Sequence, residues 1–113
     1  MSNIHPIEPD ESEADTRALR IDPVLKSKGW DDVQTGARAK RELICPGRIA
    51  GAGRRTNPVS SDYVFIYKGQ KLAAMEAKKA TLGYTEGRAQ AVDYARRLKT
   101  RFAFCTNGVK WRE

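Results

Sequence analysis

Three residues of this 113-residue chain have the types and spacing of a hydrolytic centre: Asp62, Glu76 and Lys78. They sit in two runs of strand composition, Asp62 to Tyr67 and Leu72 to Lys79, separated by Lys68-Gly69-Gln70. β-Branched and aromatic residues around a glycine-containing turn predict a hairpin. Side chains alternate between the faces of a strand, and all three positions are even-numbered. With a three-residue loop of Lys68, Gly69 and Gln70, Tyr67 pairs with Lys71 and Asp62 with Glu76, and the three polar groups share a face. A two-residue loop shifts the register by one and sends the acids to opposite faces. Two carboxylates directly opposite on a sheet stand about 5 Å apart and repel unless one is protonated or a cation lies between them. Oxygen ligands without His or Cys favour Mg²⁺ or Mn²⁺ over zinc. Such an ion lowers the pKa of a bound water and neutralises a phosphate, while a lysine stabilises the pentacovalent state or orients the water. That chemistry suits phosphodiester hydrolysis.

An acid-x-Lys triplet also occurs on exposed strands, where Glu76 with Lys78 or Lys79 would be a surface ion pair of little energetic consequence. Here Ala73, Ala74, Met75 and Ala77 mark the strand as buried, and an unpaired glutamate there would be costly, which favours a functional Glu76. Gln90 and Tyr94, four apart, share a helix face from which an amide and a phenol can reach a phosphate or orient the lysine. The same spacing suits plain helix surface and core. The single histidine, His5, lies among Pro6, Glu8, Pro9 and Asp10, which argues against triad and histidine-metal chemistry. Cys45 and Cys105 stand apart and read as small core residues rather than a disulfide framework. Gly47 to Gly53 is glycine-rich but lacks the Lys-Ser/Thr pair of a phosphate-binding loop, so no ATP site is expected.

Charge points to the partner. Lys and Arg number 21 against 14 Asp and Glu, a net +7, which favours a polyanion. Arg48, Arg54 and Arg55 in a basic loop, with Arg96, Arg97 and Arg101 further on, read as a phosphate-contacting surface or as solvated charge. No apolar stretch, Val64 to Tyr67 included, approaches the roughly 20 residues of a membrane span. A cytoplasmic protein without a membrane partner is expected.

The elements that must position these residues follow from local pattern. Residues 1–11 are polar, acidic and proline-containing and read as a flexible leader, and residues 12–113 as a single domain. Ser12-Glu13-Ala14-Asp15 has the capping-box pattern and opens a helix. Its core stripe is Ala14, Ala18, Ile21 and Leu25, with Pro23 as a kink or second start and Gly29 as the end. Glu13 and Arg17 read equally as an ion pair four apart. Arg41 to Cys45 reads as a strand closed by Pro46, 47–61 as a loop, Glu86 to Leu98 as a helix and Arg101 to Thr106 as a strand. Asn107-Gly108 then turns into Val109–Trp111. Trp30, Phe65, Phe104 and Trp111 read as core. The sequence stops shortly after that turn, inside a strand pattern, as a fragment of a longer protein would.

Asp62, then Glu76-Ala77-Lys78, then Gln90-x-x-x-Tyr94 resembles the PD-(D/E)xK nuclease superfamily in its Gln-x-x-x-Tyr branch. The match is to the N-terminal nuclease domain of the type I restriction enzyme R subunit. Glu13-Ala-Asp-Thr-Arg17, Gly29-Trp30, Ser61-Asp-Tyr-Val64, Ala74-Met-Glu-Ala-Lys78 and Thr106-Asn-Gly108 extend the resemblance from about Ser12 to Trp111. Ser61 stands where the superfamily's name has Pro, which changes no ligand. The resemblance implies an α/β, restriction-endonuclease-like αβββαβ fold with a mixed central sheet flanked by helices. It implies Mg²⁺, with Mn²⁺ as a substitute, on Asp62, Glu76 and the Ala77 carbonyl. Lys78 would be catalytic, Gln90 and Tyr94 supporting, and Glu13 would face the site from the first helix. Arg54, Arg55 and Arg97 are the expected DNA contacts. The expected activity is that of a type I site-specific deoxyribonuclease, cutting double-stranded DNA whose target is recognised by separate modification and specificity subunits. The competing class is a non-catalytic basic DNA-binding or docking module that keeps the nuclease fold.

Overall fold

The computed structural model describes residues 6–45 and 59–113, leaving aside the side chains of residues 44, 45, 59 and 60. Ser12 caps the first helical run reciprocally: its hydroxyl accepts from the Asp15 amide at 3.0 Å, and the Asp15 carboxylate accepts from the Ser12 amide at 3.1 Å. The run consists of α1 (Glu13–Thr16), a π-helical turn (Arg17–Ile21) and α2 (Asp22–Ser27). Within it the Asp22 amide donates to the Arg17 carbonyl, five residues back. Pro23 enters α2 in its first turn. Lacking an amide and crowding the carbonyl four residues before it, proline is accommodated by the wider turn.

The π turn corrects the expected core stripe. Ile21 and Leu25 are buried, but Ala14 and Ala18 are exposed, and Thr16 and Arg20 are buried instead. A stripe drawn at uninterrupted α-helical spacing loses its phase when it crosses a turn holding an extra residue. Gly29, at φ 94°, closes the run, and Trp30 beyond it packs on Phe65 with ring centroids 4.7 Å apart.

Five strands form one mixed sheet in chain order: β1 (Ala37–Cys45), β2 (Val59–Tyr67), β3 (Gln70–Ala77), β4 (Phe102–Thr106) and β5 (Trp111–Arg112). All neighbours are antiparallel except β3 and β4, which run parallel and are joined through α3 (Arg88–Leu98). β1 starts four residues before the expected Arg41. Its first half, Ala-Arg-Ala-Lys, has little strand propensity and is held by pairing with Val64 to Tyr67.

The β2–β3 hairpin departs from the expected three-residue loop. Only Lys68 and Gly69 form the turn, both at positive φ (49° and 81°), and Tyr67 pairs with Gln70. Two positive-φ residues give the turn twist that matches paired strands. Such a turn alone would separate the acids. The register shifts once more, however, between Phe65 and Ile66, so that Phe65 pairs with Ala73 and Tyr63 with Met75, leaving Leu72 as the extra residue of a bulge. The bulge restores the residue that the shorter turn omits.

One sheet face packs Tyr63, Phe65, Ala73, Met75 and Ala77 against Ile21 and Leu25, with Trp30 and Phe104 at the margin. The other packs Ala74 against Tyr94 and Ala95 of α3. Cys105 is buried as expected, while the Cys45 side chain lies outside the described residues. Trp111 is 39% exposed rather than core, because its edge strand is two residues long and only β4 flanks it. Among the described residues no helix is long and apolar enough to cross a membrane.

Glu11, at the end of the polar leader segment, is buried. It accepts from Thr16 Oγ1 at 2.5 Å and from Arg20 Nε and Nη2 at 3.0 and 2.6 Å, and Arg20 Nη2 also donates to the Pro6 carbonyl at 3.1 Å. The Thr16 hydroxyl accepts from the Ala80 amide at 2.9 Å, fastening the segment just beyond β3 to the helical run.

Candidate active site

Asp62 lies one step beyond the Tyr63–Met75 pair, opposite Glu76, and the two acids lock each other to the backbone. Asp62 Oδ2 accepts from the Ala77 amide at 2.8 Å, and Glu76 Oε1 accepts from the Asp62 amide at 3.2 Å. The Glu76 residue is 4% exposed, and the Asp62 side chain 17%. Burial, reinforced by the Asp62 charge, pushes the Glu76 carboxyl up to about 9. At neutral pH the unliganded pair therefore settles its repulsion with a proton, one of the two remedies open to facing carboxylates.

Lys78 follows directly on β3. Its amide donates to the Thr106 carbonyl at 2.9 Å, so together with the Ala80–Thr16 bond both ends of this short segment are held. Gly87, next to α3, passes close by: a Cβ there would stand 3.0 Å from Glu76 Cβ and 3.5 Å from Lys78 Cε. Absence of a side chain lets the start of α3 close over the acid and the lysine.

Glu13 faces this centre from α1. Its carboxyl is raised by burial first and by the Asp62 charge second, against the opposing pull of Arg17 and Lys78. Arg17 lies among three acids, with Nη2 3.6 Å from Glu13 Oε1 and Nη1 3.7 Å from Glu42 Oε1 and 3.9 Å from Asp62 Oδ1. Sequence reasoning missed Arg17 as part of the site and missed Glu42 altogether. The signal for Glu42 was only in strand register: Arg41 pairs with Tyr63 and Leu43 with Ser61, which brackets Asp62 with Glu42. Glu42 itself stands at φ 55°, a conformation uncommon for a non-glycine residue.

The remaining candidates are placed differently. Gln90 is exposed in the first turn of α3, and Tyr94 is buried against Ala74 in the smaller core. Arg97 pairs with Asp93 at 3.1 Å on the same helix, its side chain 13% exposed, which leaves little of it to meet a phosphate. Arg48, Arg54 and Arg55 lie outside the described residues.

Among the described residues no three His, Cys, Asp or Glu side chains cluster to hold a metal. Asp62 and Glu76 are instead a two-carboxylate set, all oxygen, adjacent and largely shielded from solvent. Those properties fit a hard divalent cation completed by backbone carbonyl and water.

No family model matches the chain. It is 36% identical over 103 residues to the type I restriction enzyme EcoAI endonuclease subunit of Escherichia coli, a match that covers 86% of this chain and 12% of that protein. Among solved structures it is similar to a fragment assigned to the HsdR subunit of a type I restriction enzyme from Vibrio vulnificus YJ016, with a TM-score of 0.72 and 28% identity. That likeness covers 88% of this chain and 20% of the other. The fold is thus restriction-endonuclease-like, and the chain spans about an eighth of the length of the curated relative.

Proposed function

We propose, from its similarity to a segment of a type I restriction enzyme endonuclease subunit, that the chain is the nuclease module of such a subunit, a Mg²⁺-dependent endonuclease acting on double-stranded DNA. The observation that carries this reading is the Asp62–Glu76 pair, cross-locked at 2.8 and 3.2 Å with Lys78 beside it. Asp62 and Glu76, with the Ala77 carbonyl, would hold Mg²⁺ or Mn²⁺, which when bound supplies an activated water and charge neutralisation at the phosphate.

The chain's own residues do the rest. Lys78 binds a phosphate oxygen and offsets the charge that builds up during attack. Glu13 adds negative potential on the helix side of the site. Gln90 and Tyr94 act as supports from α3, and Arg54 and Arg55 contribute to the basic charge that meets the DNA backbone, with Arg97, tied to Asp93, adding long-range charge rather than a contact. Target recognition belongs to modification and specificity subunits, and the site of action is the cytoplasm.

The test is a calorimetric titration of Mg²⁺ or Mn²⁺ into wild type and Glu76→Ala, with nicking of supercoiled plasmid followed in the same samples. Binding and nicking lost together in the variant support a catalytic carboxylate site. Absence of metal binding in the wild type overturns the reading and leaves a DNA-docking module.

A further inference from the structure

Arg17 is held unlike any other described arginine that touches an acid. Its three carboxylate neighbours lie at 3.6, 3.7 and 3.9 Å, all beyond the roughly 3.2 Å limit of a good N–H···O bond. Arg20, three residues later, makes contacts of 2.6 and 3.0 Å to Glu11, and Arg41 lies 3.2 Å from Asp22. A guanidinium has five donors in a rigid fork suited to bidentate recognition of carboxylate or phosphate. Those of Arg17 are engaged by attraction alone, and its side chain keeps 21% of its surface open.

The oxygen it faces is also informative. Asp62 Oδ2 is taken by the Ala77 amide, so Oδ1 is the atom left for a cation, and Oδ1 is the one nearest Arg17. Counting charge over the cluster, the carboxylates of Glu13, Glu42, Asp62 and Glu76 number four against the cations of Arg17 and Lys78. A divalent ion brings the ionised cluster to neutrality and so weakens, without abolishing, the pull of the acids on Arg17. Repulsion between that ion and the guanidinium, both drawn to Asp62 Oδ1, then favours a guanidinium turned outward, and the anion available there is a phosphodiester.

We infer that Arg17 is a displaceable counter-cation, which neutralises Glu13, Glu42 and Asp62 before a divalent ion arrives and is released by that ion to bind the substrate phosphate. The inference rests on the nuclease reading above and adds a substrate-binding residue to it.

The test uses the metal alone and a short duplex DNA, with no dependence on turnover. Mg²⁺ affinity is measured by calorimetry, and duplex affinity by fluorescence anisotropy with and without Mg²⁺, for wild type, Arg17→Ala and Arg17→Gln. The neutral variants should bind Mg²⁺ several-fold tighter, because a competing cation is gone. In Mg²⁺ they should bind duplex about tenfold more weakly, the effect of losing one charge-assisted contact. Without metal their duplex affinity should equal that of wild type. Arg17→Gln retains most of the side chain, so it reports the same signs if Arg17→Ala does not fold. A merely structural role would weaken metal and duplex binding together, and that result overturns the inference, as does duplex binding in Mg²⁺ that does not change. Wild-type protein that binds no Mg²⁺ overturns the nuclease reading as well, so the two failures are distinguishable.

Discussion

Two arginines three residues apart on one helical run meet carboxylates in opposite ways. Arg20 and Glu11 are both buried, joined at 2.6 and 3.0 Å, with Thr16 completing the set, while Arg17 lies at 3.6 to 3.9 Å from three partly or fully exposed acids. The first cluster is satisfied bond for bond, as buried charge requires. It ties the leader, the helical run and, through Ala80, the segment carrying Lys78 into one unit. The second is unsatisfied by hydrogen-bond criteria and surrounds the carboxylate pair. Identical residue types thus serve as scaffold where donors are committed and as a responsive site where they are not.

That contrast is sharpest in stability. Arg20→Ala leaves Glu11 buried without its partner and should lower the unfolding free energy by about 3–5 kcal/mol, measured by urea denaturation. A loss below about 1 kcal/mol would erase the distinction between the clusters. Gly108 tests the same scaffold from the opposite side. It sits at φ 81°, and a Cβ there would stand 2.8 Å from Arg20 Cβ and 3.0 Å from Thr16 Cγ2. Gly108→Ala should therefore cost about 2–3 kcal/mol through overpacking and backbone strain, and an unchanged denaturation midpoint would show that the turn is not seated on the helix.

The responsive cluster should show itself through protons. Folding raises the Glu76 carboxyl from its usual range to about 9, so the native state binds a proton that the unfolded chain gives up at lower pH. The associated stabilisation is complete below the unfolded value and is lost as pH rises through about 9. In metal-free protein, the Tm of wild type relative to Glu76→Gln should fall steadily as pH rises from 5 to 9. A difference that stays flat across that range would mean the carboxylate is ionised without metal. The smallest effect belongs to Arg17→Ala, whose loose, partly open pairs contribute at most about 1 kcal/mol. A larger loss in urea denaturation would place Arg17 with the scaffold.

Much of this arrangement was legible in the chain. The Ser12–Asp15 cap, the Lys68-Gly69 turn region, the helix and strand that follow it and the burial of the Glu76 strand all follow from neighbours in sequence. The expectation that Asp62 and Glu76 share a face came from an assumed three-residue loop, whereas the fold reaches it with a two-residue turn plus a bulge at Leu72. Parity alone cannot tell these routes apart, since both insert the same single residue. Thr16 and Arg20 fall outside a stripe drawn from apolar spacing, and only their partners Glu11 and Ala80 make them buried. Trp111 read as core because it is large and apolar, but apolarity cannot supply a neighbour where the sheet ends.

By itself, the sequence determined that Asp62, Glu76 and Lys78 would share a strand face and how far apart they lie on their own elements, because turn chemistry, caps and side-chain alternation act over a few residues. Tertiary structure alone decided that Glu42 stands opposite Asp62, that the π turn aims Arg17 at the acids and Arg20 away from them, and that Gly87 lets α3 close over Lys78. Those outcomes depend on strand register and on the exclusion of water around particular atoms. Both are properties of residues far apart in the chain, and no local pattern encodes them.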